Sequence, residues 1–125
     1  MSENLAILIV EDEPLIAMML EDFLESLGHR VVATADSVGQ AIEHIDAGGF
    51  DVAIVDVHLK GGESAWPVAD RLIERGLPFV LATGGHIDPP PSRHAAAPVL
   101  AKPYTIDAIE PALEAARTSG DRIRA

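Results

Sequence analysis

The sequence predicts an open, doubly wound α/β domain, and three observations carry that prediction. Short aliphatic runs of strand length alternate with segments of helical periodicity along the whole chain. The runs are continuous rather than alternating, as in Leu5-Ala6-Ile7-Leu8-Ile9-Val10, the pattern of strands buried on both faces of a parallel sheet. With 125 residues, 48% of them hydrophobic and 23% charged, the chain has the length and composition of one globular domain.

The first strand is Leu5 to Val10. After the acidic triplet Glu11-Asp12-Glu13, Pro14 suits the first turn of a helix, and Ile16, Met19, Leu20, Phe23, Leu24 and Leu27 recur at helical spacing until Gly28. Arg30 to Ala35 is a second strand. Ser37 is placed to cap the next helix, which carries Val38, Ala41, Ile42 and Ile45 and ends at Gly48-Gly49. Asp51 to Val55 is a third strand that runs straight into Asp56. Beyond the Gly61-Gly62 turn, Ser64 is expected to open a helix that tolerates Pro67 in its first turn, with Val68, Ala69, Leu72 and Ile73 inward until Gly76. Pro78 to Ala82 is the fourth strand and Val99 to Ala101 a short fifth. Ile106, Ile109, Leu113 and Ala116 mark a last helix. Three consecutive prolines, Pro89 to Pro91, fall between strands four and five, so any helix there must be short.

Composition removes several classes of function. The chain has no cysteine, which excludes thiol catalysis, zinc-thiolate sites and disulfides. Lys and Arg number 9 against 20 Asp and Glu, a formal charge of -11, so the basic footprint that nucleic acid or an anionic membrane surface requires is missing. The longest aliphatic run, Leu5 to Val10, is far short of the ~20 residues of a membrane span. No basic segment leads into a signal-peptide core, and the expectation is a cytoplasmic protein. No Lys or Arg precedes Arg30, so the N-terminal third favours a cation or a basic partner surface.

In a parallel sheet the carboxyl ends of the strands share one edge, where function collects. The residues following the strands are Glu11, Asp12 and Glu13 after the first, Asp56 after the third, Thr83 after the fourth and Lys102 after the fifth. Carboxylates from two strands make an oxygen-rich pocket suited to Mg²⁺, which takes a few carboxylates and several waters. Singly, each residue has a plainer role: an acidic turn facing a helix dipole, a turn aspartate, a Thr-Gly turn, a lysine reaching out to solvent.

In this order and register, however, the residues resemble the receiver domain of two-component response regulators over essentially the whole chain. Ile7-Leu8-Ile9-Val10-Glu11-Asp12-Glu13-Pro14, Asp51-Val52-Ala53-Ile54-Val55-Asp56 and Ala101-Lys102-Pro103-Tyr104 carry the resemblance. Leu81-Ala82-Thr83-Gly84-Gly85-His86 is similar to the Phe-Ala-Thr-Gly-Gly-Tyr signature of a subgroup of stand-alone bacterial receivers, with Leu81 and His86 in place of its two aromatics. The resemblance implies a flavodoxin-like (βα)5 fold, a five-stranded parallel sheet of order 2-1-3-4-5, and a fourth helix that is short or irregular. It further implies that Asp56 accepts a phosphoryl group from a sensor histidine kinase or a histidine phosphotransfer protein docking near the first helix. Glu11, Asp12, Asp56 and the backbone carbonyl of His58 would hold Mg²⁺, and Thr83 and Lys102 would contact phosphoryl oxygens. The expected organisation is a single receiver domain over residues 1–125 with no output domain, a signalling module rather than an enzyme, acting through a downstream protein partner.

Two departures from the family pattern bear on signalling. Leu59-Lys60 stands where many receivers have Met-Pro, and Val99 stands where an aromatic switch commonly lies. The response is therefore expected to fall on residues 84 to 97. Trp66 is expected to be a partly exposed packing residue, and His29, His44 and His94 to be surface groups. Two other functions compete: a receiver that binds partners without phosphorylation, and a small Mg²⁺-dependent phosphohydrolase. The intact acidic, Thr and Lys set opposes the first, and the lack of a G-x-x-x-x-G-K-[ST] loop opposes the second.

Overall fold

The computed structural model describes residues 4–57, 59, 64–83, 97–101 and 104–124, with side chains to residue 118. Its strands are β1 (Ala6–Val10), β2 (Arg30–Ala35), β3 (Val52–Asp56), β4 (Phe79–Thr83) and β5 (Val99–Ala101). The helices among the described residues are α1 (Pro14–Ser26), α2 (Val38–Ala47), α3 (Trp66–Glu74) and α4 (Ile106–Arg124). The short helix expected between β4 and β5 and the response segment 84–97 fall on 84–96, outside the described residues, apart from Ala97, which is half-buried against the α2/α3 layer.

All strand pairs are parallel, in the order β2-β1-β3-β4-β5. The chain leaves β1 toward one edge of the sheet and returns to place β3 on the other side of it. Such a reversal opens a crevice at the carboxyl ends of β1 and β3. Every residue of β1, β3 and β4 is buried, because helices cover both faces. Leu8, Val10, Val55 and Leu81 point to a layer with Ala41, Ile45, Val68 and Leu72 of α2 and α3. Ile7, Ile9, Ile54 and Val80 point to the other layer, with Leu20 and Leu24 of α1 and Ile109 and Leu113 of α4. Each large aliphatic side chain removed from water in this way contributes about 1.5–3 kcal/mol. That term holds the three layers together.

From α1 to α3, helix boundaries follow local chemistry with one exception. Beyond α1, the Gly28 N–H bonds Glu25 O and the His29 N–H bonds Leu24 O, with Gly28 at φ 91°. A Cβ at Gly28 would also lie 3.2 Å from Asn4 Oδ1, a tight approach to an exposed side chain, so it is the positive φ that calls for glycine there. At α2, Ser37 Oγ accepts the Gln40 N–H at 3.2 Å while Gln40 Oε1 accepts the Asp36 N–H at 3.0 Å, a variant of the reciprocal capping box. The exception is α3, whose N-cap is Ala65 rather than Ser64 and which has no side-chain cap. The Ala65 N–H donates to Val57 O at 3.1 Å, and this backbone tie, rather than a serine hydroxyl, sets where the helix begins.

β2 departs from a plain strand. Ile7 pairs with Val31 and Leu8 with Ala33, leaving Val32 as an extra, exposed residue. The bulge turns Val31 toward the α1/α4 layer and Ala33 toward the α2/α3 layer. On an edge strand it also interrupts the row of free backbone groups that invites pairing with another chain.

Trp66 is half-buried against the α2/α3 layer as expected, and His44 is half-buried in the last turn of α2. His29 is not a surface group: it is 5% exposed. Its Nδ1 accepts the Leu5 N–H at 3.0 Å and its Nε2 is hydrogen-bonded to Glu110 Oε1, so two partners satisfy the ring away from water. His94 lies outside the described residues. No helix among the described residues is long and apolar enough to cross a membrane.

Candidate functional site

The crevice between β1 and β3 holds the acidic residues. β1 ends at Val10, and the Glu11 N–H bonds Ala35 O at 2.9 Å, so the chain keeps the sheet's direction for one more residue and Glu11 stays buried. Asp12 follows half-buried, and Glu13 is exposed as the N-cap of α1. Glu11 Oε2 accepts the Glu13 N–H at 3.2 Å, which folds the acidic turn back on itself. The positive end of the α1 dipole opens just beyond it and favours negative charge there.

Asp56 is the last residue of β3 rather than the first after it, with Ala82 of β4 as its ladder partner. The Val57 N–H bonds Ala82 O at 3.0 Å, carrying the β3–β4 pairing past the point where the apolar run stops. Thr83 is likewise the last residue of β4, buried and paired with Ala101. Both side chains are therefore fixed by strand geometry rather than by a turn.

Ligand atoms of Glu11, Asp12 and Asp56 lie within 4.8 Å of one another. Glu11 and Asp56 are buried. Three carboxylates at that spacing repel, and a hard divalent cation with oxygen ligands relieves the repulsion, so the donor set fits Mg²⁺. The site thus brings together three of the residues singled out in the sequence, with Thr83 on the next strand. His58 and Lys102 lie outside the described residues. Leu59, at the position where many receivers have Met, is buried in the α2/α3 layer.

The arrangement identifies the fold's family. A family model for the response regulator receiver domain matches residues 7–114. This chain belongs to that family. The receiver domain is similar to the solution structure of SdrG from Sphingomonas melonis Fr1, at 55% identity and a TM-score of 0.81 over 92% of this chain and 98% of that one. It is similar also to the BeF3-activated conformation of SdrG from Pseudomonas melonis Fr1, at 54% identity and a TM-score of 0.77 over 90% of this chain and 95% of that one. A curated relative, the phyllosphere-induced regulator PhyR of Methylorubrum extorquens, is 36% identical over 79 residues, which is 62% of this chain. The matched part spans only 30% of that relative's length.

The receiver also places one aromatic behind the acidic pocket that sequence reasoning had left without a role. Tyr104 is 5% exposed in the α1/α4 layer. Burial, and after it the charges of Glu11 and Asp56, push its hydroxyl well above the ordinary tyrosine value, so it stays protonated and adds no charge to the site. Its place directly after Lys102-Pro103 was visible in the sequence; its proximity to β1 and β3 was not.

Proposed function

We propose that this receiver domain is a phosphoacceptor of a two-component phosphorelay, taking a phosphoryl group on Asp56 from a cytoplasmic histidine kinase or histidine phosphotransfer protein. The observation that carries this reading is the gathering of the Glu11, Asp12 and Asp56 carboxylates within 4.8 Å at the switch point of the sheet. The BeF3-activated conformation of the related SdrG supports it.

In the proposed step an Asp56 carboxylate oxygen attacks the phosphorus of a phosphoimidazole. A P–O bond forms and the P–N bond breaks, its electron pair staying on the imidazole nitrogen, which takes up a proton. A carboxylate is a weak nucleophile, so the protein acts by positioning and by neutralising the transferring group. Asp12 and Asp56 would hold Mg²⁺ directly, with the His58 carbonyl, and Glu11 through water. When bound, the metal supplies positive charge to the phosphoryl oxygens. Thr83 donates its hydroxyl to one of these oxygens and Lys102 pairs its ammonium with another.

The donor protein docks on α1. Leu15 and Met18 are 78% and 58% exposed and lie one helical turn apart, adjoining the acidic turn, with exposed Asp22 and Glu25 farther along the helix. An apolar surface flanked by basic side chains complements that face. The test is incubation with a small labelled phosphodonor. Label is expected on the wild type only with Mg²⁺ and not on Asp56→Asn; label retained by Asp56→Asn rejects the assignment.

A further inference from the structure

His29 belongs to no part of the acidic site; it lies beside the start of β1, at the opposite edge of the sheet. Its Nδ1 accepts the Leu5 N–H at 3.0 Å, and a backbone amide can only donate. The ring proton therefore sits on Nε2, which donates to Glu110 Oε1. One imidazole thus joins the residue before β1, the turn from α1 into β2, and α4. The turn is itself fixed, by the His29 N–H to Leu24 O bond at 2.9 Å and by the positive φ of Gly28.

The partner on α4 sits at a weak point of its helix. Glu110 directly precedes Pro111, which has no N–H to give to the Asp107 carbonyl, so residues 106–110 are less firmly joined to the rest of α4 than an ordinary turn would be. In that leading segment Ile106, Asp107 and Ala108 are exposed. Ile109, fully buried, is its apolar anchor and Glu110 its polar one. One turn farther on, Glu114 is exposed and ion-paired with Arg117 of its own helix at 3.7 Å.

We propose that the His29–Glu110 hydrogen bond is a clasp that fixes the leading segment of α4 on the sheet, and that opening it loosens this segment while β1 and β3 stay in place. An apolar pair would bury surface equally well, whereas a directional bond to a ring of fixed tautomer selects one position of α4 along its axis. The proposal goes beyond the phosphoacceptor reading and does not depend on it.

The test is amide exchange by NMR on the full chain, with imidazole ¹⁵N shifts read in parallel. The wild type should show the Nε2–H tautomer of His29. Glu110→Ala should speed exchange of amides 108–110 and 112–116 at least tenfold and leave those of β1 and β3 unchanged. Glu110→Gln, whose amide oxygen still accepts the Nε2–H, should keep most of the wild-type protection. Unchanged protection in Glu110→Ala, a loss shared equally by β1 and β3, or an Nδ1–H tautomer would each overturn the clasp.

Discussion

At the N-terminal edge of the sheet, Asp51 Oδ2 accepts the Ala6 N–H at 2.8 Å, His29 accepts the Leu5 N–H, and His29 in turn bonds Glu110. Donor meets acceptor each time. At the C-terminal edge, Glu11, Asp12 and Asp56 bring three groups of the same charge within 4.8 Å, two of them buried. Complementary pairs offset the desolvation of their own members, whereas like charges add repulsion to it. The N-terminal edge is therefore built for stability, and the C-terminal edge holds a tension that a cation can relieve. Where polar side chains are buried, the sign of their neighbours separates a structural role from a chemical one.

Substitutions at the two edges should move stability in opposite directions. The largest effect is expected for Asp12→Ala: Mg²⁺ affinity falls at least tenfold by calorimetry, while the metal-free protein becomes more stable to urea by roughly 1 kcal/mol as repulsion is relieved. Added Mg²⁺ should raise the melting temperature of the wild type and have little effect on this variant. A metal-free Asp12→Ala that is less stable than wild type would break the contrast between the edges.

Asp51→Ala makes the reverse case. It removes the acceptor of the Ala6 N–H at the start of β1 and should cost about 1–3 kcal/mol in urea unfolding, with Mg²⁺ affinity unchanged. A smaller effect sharpens the picture at the C-terminal edge. Because burial and the charges of Glu11 and Asp56 raise the Tyr104 pKa in the fold, the folded state holds that proton more tightly than the unfolded chain does. Its contribution to stability is therefore full below about pH 10, the ordinary tyrosine value, and declines as pH rises above it. Tyr104→Phe should flatten that alkaline decline, and ultraviolet titration should show no folded-state tyrosinate at pH 10.

Several elements were legible from neighbouring residues alone. Ser37 caps α2, β2 and β5 have the expected bounds, and Gly28 and Gly48 close their helices, because caps, periodicity and positive φ act over a few residues. Ser64 has the right chemistry for a cap of α3, but the backbone tie from Ala65 to Val57 places the helix one step later. The bulge at Val32 was invisible for a similar reason, since it exists only in the pairing of β2 with β1.

By itself the sequence determined the alternation of strands and helices, the net charge of -11 and the placement of Glu11, Asp12, Asp56 and Thr83 at strand ends. These follow from local conformational preference and from the rule that parallel strands share an edge. Tertiary structure alone decided that Glu11 and Asp56 are buried side by side, that Tyr104 closes in behind them, and that His29 is withdrawn from water. The physical reason is distance along the chain. Glu11 follows β1 and Asp56 ends β3, strands brought together by a crossover, and Glu110 reaches His29 from a helix 81 residues away, so no local preference encodes either meeting.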